Sequence, residues 1–374
     1  MEIQEVLDPD SLRTLREEWD FLVDSCSTAT IYQTWEWNEA WWNAFGGGKR
    51  LRLILVREAG RLVGIAPFYI SRHLNSPLRR LAFLGTGASD YLDVIAEDAL
   101  APKIADSVLR HLDGANGFDL ADLQQLRPGS LLLDAACAAR NDTSLRRNPS
   151  ILAQEACPFV PLQGSWEEYG KRLGKKTRTN LGYYDRLLLK SFGDVRTRLA
   201  EADDLDSAMD ALFALHQSRW NARLLPGVMG SRRVREFHRE AARRFHQRGW
   251  LRLHLIEIEG KCVSALHCFH YRNRTYYYLG GFAPEMGKYS LGTVLTARAI
   301  QHSIEEGGSE FDFLRGAEPY KYRWQPEERI NHRVLLSDAR SLRSRAMVTL
   351  NRFEHFVEHR AKEFAENRGR RKQK

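Results

Sequence analysis

The side chains best suited to chemistry crowd one short run, FDFLRGAEPYKYRW, at residues 311–324. Asp312 and Glu318 are carboxylates that can take a proton from an amine or hydroxyl nucleophile. Tyr320 can hand a proton to a leaving thiolate, and Arg315, Lys321, Arg323 and Trp324 suit an anionic acceptor. A second group is HQSRW, in which one helical turn gathers His216, Arg219 and Trp220 into a wall for an acceptor. Asp90 and Tyr91, in the first half, are further acceptor-side candidates, and His267 is another candidate base. Proton transfer beside cationic anchoring is the equipment of acyl transfer. A salt-bridged surface turn competes with that reading for each residue of the run, and a core-edge histidine competes for His216. Cys262, Cys268 and His270 share strand parity, but cysteine is commonly a small core residue, so no metal is expected.

These residues need elements to position them. An aromatic strand, Thr275–Leu279, is expected to break at Gly280-Gly281. A polar loop with Gly287, Lys288 and Gly292 then enters a helix, which Gly307-Gly308 ends before a strand at Phe311–Leu314. Strand, glycine loop, helix and strand in that order present backbone N–H groups to a phosphate at the helix N-terminus. Ser290 is the expected N-cap, with Thr293 at the third helical position. The segment is read as the seat of a nucleotide-like acyl donor such as acetyl-CoA.

The pattern occurs twice. LRLILVREAGRLVGIAPFYI starts at Leu51, and LRLHLIEIEGKCVSALHCFH starts 200 residues later. Each is followed by a strand ending in glycine (Gly85, Gly280), a helix, and a strand beginning Phe-Asp (Phe118-Asp119, Phe311-Asp312). An internal duplication of an α/β unit with mixed sheets is the simplest reading. After Gly85 another short strand, Tyr91–Ile95, precedes the helix, so only the second copy is expected to bind the donor. The expected division is residues 1–150, 151–340 and a helical basic tail, 341–374. Around the copies, Trp35, Trp37, Trp41 and Trp42 are expected in the core, and Trp166–Lys190 reads as basic helix.

Composition sets the wider bounds. The 374 residues are 43% hydrophobic and 28% charged, as a packed chain would be. No apolar run approaches the roughly 20 residues of a membrane span. The opening MEIQEVLDPD has no signal-peptide pattern, and five cysteines without regular spacing fit a reducing cytoplasm. The net charge of +8 lies much in ENRGRRKQK and in Lys171–Arg186, which reads as solvated basic surface; DNA is not an expected partner. The charged helix Leu342–Glu366 is expected to pack on the body, with peripheral contact to the inner membrane face as the alternative.

The runs EFDFLRGAEPYKYRW and YYYLGGFAPEMGKYSLGTVL, with the hairpin RLVGIAPFYI, resemble the bacterial GNAT-superfamily acetyltransferases of the cellulose-biosynthesis-associated type. These are similar in turn to the Fem-type aminoacyl transferases, which carry two GNAT-like domains. The resemblance spans about Tyr32 to Leu336. It implies two tandem GNAT-like units and acetyl-CoA, or another acyl-CoA, as co-substrate. It also implies an amine or hydroxyl acceptor on a small molecule or cell-envelope polysaccharide precursor. Donor amides would pair with the strand edge Tyr278–Phe282, which includes Gly280 and Gly281. The pyrophosphate would meet Met286–Gly292, where Lys288, Ser290 and Gly292 lie with Thr293 just beyond. The loop GKYSLG departs from the usual Q/R-x-x-G-x-G/A signature. Two alternatives stand beside this: a Fem-type transfer from aminoacyl-tRNA held by Lys171–Arg186, and a non-catalytic accessory protein of exopolysaccharide synthesis.

Overall fold

The computed structural model describes residues 1–73, 76–221, 228–354 and 360; for 219–221 and 228 it describes the backbone alone. The tail from 361 onward lies outside the described residues. The chain divides into two compact units, Met1–Glu155 with Ile330–Lys374, and Ala156–Arg329. The first unit is therefore discontinuous, and residues 330–340 fall in it rather than in the second segment of the sequence reading.

In the first unit, β1 (Glu2–Val6) leads through α1 (Ser11–Thr14) and α2 (Arg16–Asp24) to the aromatic helix α3 (Trp35–Phe45). Trp35, Trp37 and Trp41 are buried, and the Trp35 and Trp37 indole N–H groups reach Leu12 O (2.6 Å) and Ser89 Oγ (2.8 Å). A buried indole keeps its donor satisfied in this way; Trp42, also expected in the core, is only half-buried. The strands β2 (Arg50–Glu58), β3 (Arg61–Arg72) and β4 (Arg79–Phe83) follow. The further strand expected at Tyr91–Ile95 shrinks to β5, Ile95–Ala96. Its first residues are held individually, with Leu92 N–H donating to Gln125 O. After α4 (Ala101–Gly114), β6 (Leu120–Leu126) returns parallel to β4. Then come α5 (Leu131–Ala138) and the long β7 (Arg147–Pro161).

The second unit contains α6 (Trp166–Arg172), α7 (Lys175–Ser191), β8 (Val195–Leu199), α8 (Leu205–Asn221) and α9 (Arg232–Gln247). The strands β9 (Leu251–Ile258), β10 (Lys261–Tyr271) and β11 (Arg274–Phe282) form a meander. The helix α10 (Leu291–Glu305) then leads to β12 (Glu310–Asp312), parallel to β11. The chain then returns to the first unit through β13 (Glu327–Asp338), which enters it at Ile330, and a helix α11 at 342–354.

The two units repeat one strand order. In the first it is β1-β2-β3-β4-β6, with β13 beyond β6; in the second it is β8-β9-β10-β11-β12, with β7 beyond β12. The hairpin turns match too. Ala59-Gly60 have φ of 50° and 80°, and Glu259-Gly260 have 51° and 75°. Positive φ at both central residues is the turn whose twist suits a two-residue hairpin, and it favours glycine at the second position.

Candidate functional site

The site begins where two parallel strands part. The β11–β12 ladder joins Arg274, Thr275 and Tyr276 to Glu310, Phe311 and Asp312 and stops there, while β11 runs on to Phe282. The cause is visible beyond Asp312. Its Oδ1 accepts the Leu314 N–H at 2.7 Å, and Leu314 takes a φ of 58°. The chain then leans the other way: Phe313 N–H donates to Pro158 O and Gly316 N–H to Ala156 O. The expected strand Phe311–Leu314 thus ends at Asp312. Burial follows the parting, since Thr275 and Tyr276 are buried and residues 277–280 only half so. At the same place β11 bulges: Leu279 faces His267 and Tyr277 faces Cys268, so Tyr278 is the extra residue. Bulges next to a sheet opening re-aim a side chain, as they do at many active sites.

The strand does not break at Gly280-Gly281 as the sequence suggests. Both glycines stay in the ladder, opposite Leu266 and Ala265. Gly281 is there for packing, because a Cβ would lie 2.6 Å from His216 N and 2.8 Å from Leu215 C, on the backbone of α8. His216 is thereby laid directly over β11. Arg219 and Trp220, its expected companions, have side chains outside the described residues.

Two more buried imidazoles share this face. The Tyr278 ring centroid lies 5.3 Å from His238 of α9 and 5.9 Å from His267 of β10. Burial, with His216 nearby, lowers His238 to about 3; burial, with His238 nearby, lowers His267 to about 3. Both are therefore neutral at ordinary pH. His267 has neither ring nitrogen hydrogen-bonded and His238 lacks a partner at Nδ1 among the described residues. Each such buried atom costs roughly 1–3 kcal/mol, so a fold keeps it for a reason. His238 was missed from the sequence, although it stands four residues after Val234 and three before Ala241, on the apolar stripe of α9.

Several residues of the 311–324 run turn out to hold the fold. Asp312 is fully buried, with Arg329 Nη1 at 3.9 Å from its Oδ2. Lys321, expected to clamp an acceptor, is buried and gives its ammonium to Leu314 O, Arg315 O and Gly316 O at 2.9–3.1 Å. An ammonium has three donors, and three carbonyls take them. Trp324, also expected at the acceptor, is a core residue whose carbonyl accepts the Tyr169 hydroxyl at 2.9 Å. Glu318 is exposed and pairs with Lys321 at 2.9 Å. Arg323 is exposed and Arg315 half-buried. Tyr320 keeps to the opening, its ring 6.1 Å from that of Tyr277.

On the donor side, a 3-10 turn, Pro284–Tyr289, leads to α10. Ser290 occupies the N-cap position in the left-handed conformation, without the expected side-chain cap. Its carbonyl instead receives the N–H groups of Thr293 and Val294. Gly292 faces the Phe282 ring, where a Cβ would sit at 3.4 Å. Lys288 is exposed, 4.9 Å above Tyr289. The basic helix α7 packs here: Arg298 pairs with Asp185 at 3.2 Å, and Phe192 meets Tyr289 at 5.1 Å.

Asp90 and Tyr91 belong to the first unit. Tyr91 is buried against Tyr32, and Asp90 accepts from the Tyr32 hydroxyl at 3.2 Å while its carbonyl takes the Asn331 amide at 2.8 Å. They are core groups there. Among the described residues, no His/Cys/Asp/Glu group is arranged to hold a metal, and no helix is long and apolar enough to cross a membrane.

Residues 175–322, from the start of α7 to the turn before Trp324, match the family model described as an acetyltransferase (GNAT) domain. No curated protein is matched by sequence. Among solved structures, FemX superposes with a TM-score of 0.60 at 12% identity, over 88% of this chain and 97% of that one. L-PGS from Bacillus licheniformis gives 0.55 at 13%, over 94% and 98%. The C-terminal DUF2156 domain of an Agrobacterium fabrum protein designated a lysylphosphatidylglycerol synthetase gives 0.55 at 12%, over 90% and 96%. At such identities the likeness is one of fold. The parted strands and the bulge fall within residues 175–322, the stretch that is similar to the acetyltransferase (GNAT) domain.

Proposed function

We propose that the second unit moves an acyl group from acyl-CoA to an amine or hydroxyl, on a small molecule or a cell-envelope polysaccharide precursor. The observation that carries this is the end of the β11–β12 ladder at Tyr276–Asp312 while β11 continues to Phe282. Donor amides would lie along Tyr278–Phe282, with the pyrophosphate toward Lys288–Thr293 at the start of α10. His216, pressed over Gly281, takes the proton of the nucleophile as the new C–N or C–O bond forms. The C–S bond breaks, and Tyr320 is the hydroxyl placed beside the opening to protonate the thiolate. His238 and His267 are buried neutral imidazoles packed against Tyr278.

The test is calorimetry of the full chain with acetyl-CoA, followed by kinetics of His216→Ala. Donor affinity should be unchanged in the variant while kcat falls by roughly 10²–10⁴-fold, the scale of a lost general base. Absence of acetyl-CoA and longer acyl-CoA binding overturns the proposal.

A second reading has its own support. α7 carries Lys175, Lys176 and Arg178 in its first turn, all largely solvent-facing, while its other end leads to Phe192 against Tyr289 of the turn before α10. That suits an aminoacyl-tRNA donor, in keeping with relatives named for FemX and lysylphosphatidylglycerol synthetase. Filter binding with aminoacyl-tRNA would then show affinity falling steeply with salt. Loss of binding in Lys175→Gln/Lys176→Gln, with no response to acyl-CoA, would favour this donor.

A further inference from the structure

The first unit carries a polar cavity of about 390 Å³ that plays no part in the acyl-transfer reading. It lies at the N-terminal ends of β4 and β6, where Arg79 opens β4 and Asp119 immediately precedes β6. Four guanidinium groups line it, from Arg79, Arg146, Arg147 and Arg343, against two carboxylates, Asp119 and Asp338.

The carboxylates are already engaged. Asp119 accepts from Arg343 at 2.8 and 3.1 Å and from the Arg79 backbone N–H at 2.8 Å. Asp338 accepts the Arg340 backbone N–H at 2.9 Å, and its other oxygen is 3.7 Å from Arg146 Nε, too far for a hydrogen bond. The arginines are not all satisfied in return. Arg147 is only 6% exposed; its Nη1 donates to Leu112 O and Asp113 O, but among the described residues its Nε–H has no acceptor, and neither has that of Arg146. Asp113, which does not line the cavity, is occupied by the Arg147 backbone N–H at 2.5 Å. The Arg79 guanidinium makes no hydrogen bond among the described residues. Burial, and then the neighbouring Arg146 charge, lower the Arg147 pKa, as expected where cations crowd without a counter-ion.

A helix end adds to this. Ser341 and Ser344 line the same cavity, and Ser341 caps α11, its Oγ accepting the Ser344 N–H at 3.3 Å. The positive end of a helix of 13 described residues therefore faces the arginines. Excess guanidinium charge, buried unpartnered N–H groups and a helix N-terminus are the ingredients of phosphate recognition, because the planar fork matches phosphate oxygens two at a time.

We propose that this cavity binds the phosphate group of an anionic ligand. The phosphate can come from a soluble phosphorylated molecule or from a phospholipid headgroup, and the experiment separates the two. The full-length protein is titrated calorimetrically with inorganic phosphate and glycerol phosphate against chloride at matched ionic strength. Flotation is then run with phosphatidylcholine vesicles with and without phosphatidylglycerol. The variant is Arg79→Gln/Arg343→Gln, chosen because neither side chain is buried; Lys103→Gln/Lys261→Gln, at two exposed positions away from the cavity, removes the same charge elsewhere. Circular dichroism checks that both variants fold.

Binding of the soluble phosphates that weakens at least about tenfold in the arginine variant, and not in the lysine variant, supports a soluble ligand. Vesicle binding lost only in the arginine variant, with no response to soluble phosphates, supports a headgroup. No preference for phosphate over chloride in either format, or equal loss in both variants, overturns the proposal. Acyl-CoA binding in the second unit is untouched by either result, so the two proposals fail independently.

Discussion

Gly281 shows how much one hydrogen atom can decide. With no Cβ, β11 and the backbone of α8 meet closely enough to set the His216 backbone against β11. Gly281→Ala should therefore destabilise the protein by roughly 1–3 kcal/mol through overpacking, read as a lower urea midpoint. If His216 acts on the nucleophile, the same variant should lose kcat more than donor affinity. The sequence marked this glycine as notable for the wrong reason. A glycine pair reads locally as a strand end, whereas the need for it comes from a helix some 65 residues earlier. Lys321 and Trp324 teach the same lesson. Their types suggested a ligand, but an ammonium ringed by carbonyls and an indole in the core depend on chain neighbours that no local pattern displays.

Among elements, β6, β13 and α11 are held by one buried polar knot. Arg333 pairs with both oxygens of Asp122 at 2.5 and 2.6 Å, and Asn351 bonds each partner. Arg333→Met leaves the Asp122 carboxylate buried without its bidentate guanidinium, at a cost of roughly 3–5 kcal/mol in chemical denaturation. Burial raises the Asp122 pKa, but the Arg333 hydrogen bonds and charge outweigh it and hold the group below 3.8. A depressed carboxylate stabilises the fold above its unfolded pKa and ceases to as pH falls through the folded one. The wild-type advantage over Arg333→Met should thus persist at neutral pH and shrink only in strong acid. Of the elements these ties join, β6 and α11 were readable from sequence through their local patterns, and β13 was not. The bulge at Tyr278 was not, because a bulge exists only relative to a partner strand.

For the whole molecule, the buried histidines set an acid limit. His238, His254 and His267 are each lowered from 6.5 to about 3, burial being the main cause. The unfolded chain takes up protons on them below about pH 6.5 and the folded chain does not, so stability falls as pH drops from there toward 3. Each contributes up to about 1.4 kcal/mol per pH unit in that window. Urea midpoints measured from pH 7 to 4 should fall well above the range of carboxylate titration. His254→Phe, which spares the site face, should flatten the slope; an unchanged slope would show that the loss comes from elsewhere. The duplication itself was legible, because Leu51 and Leu251 begin matching hairpins. What sequence could not show is which strand completes each sheet.

That last feature reaches back to how the protein is made. β7 begins in the first unit, yet its final residues, 156–161, belong to the second, where Phe159–Pro161 pair with β12, while His332–Ser337 of β13 pair with β6 in the first. On the ribosome, the first unit emerges long before the strand that finishes it. Until then β6 waits with an open edge, an invitation to pair with another nascent chain. The first unit is completed by residues that follow the second, and the second by a strand begun in the first.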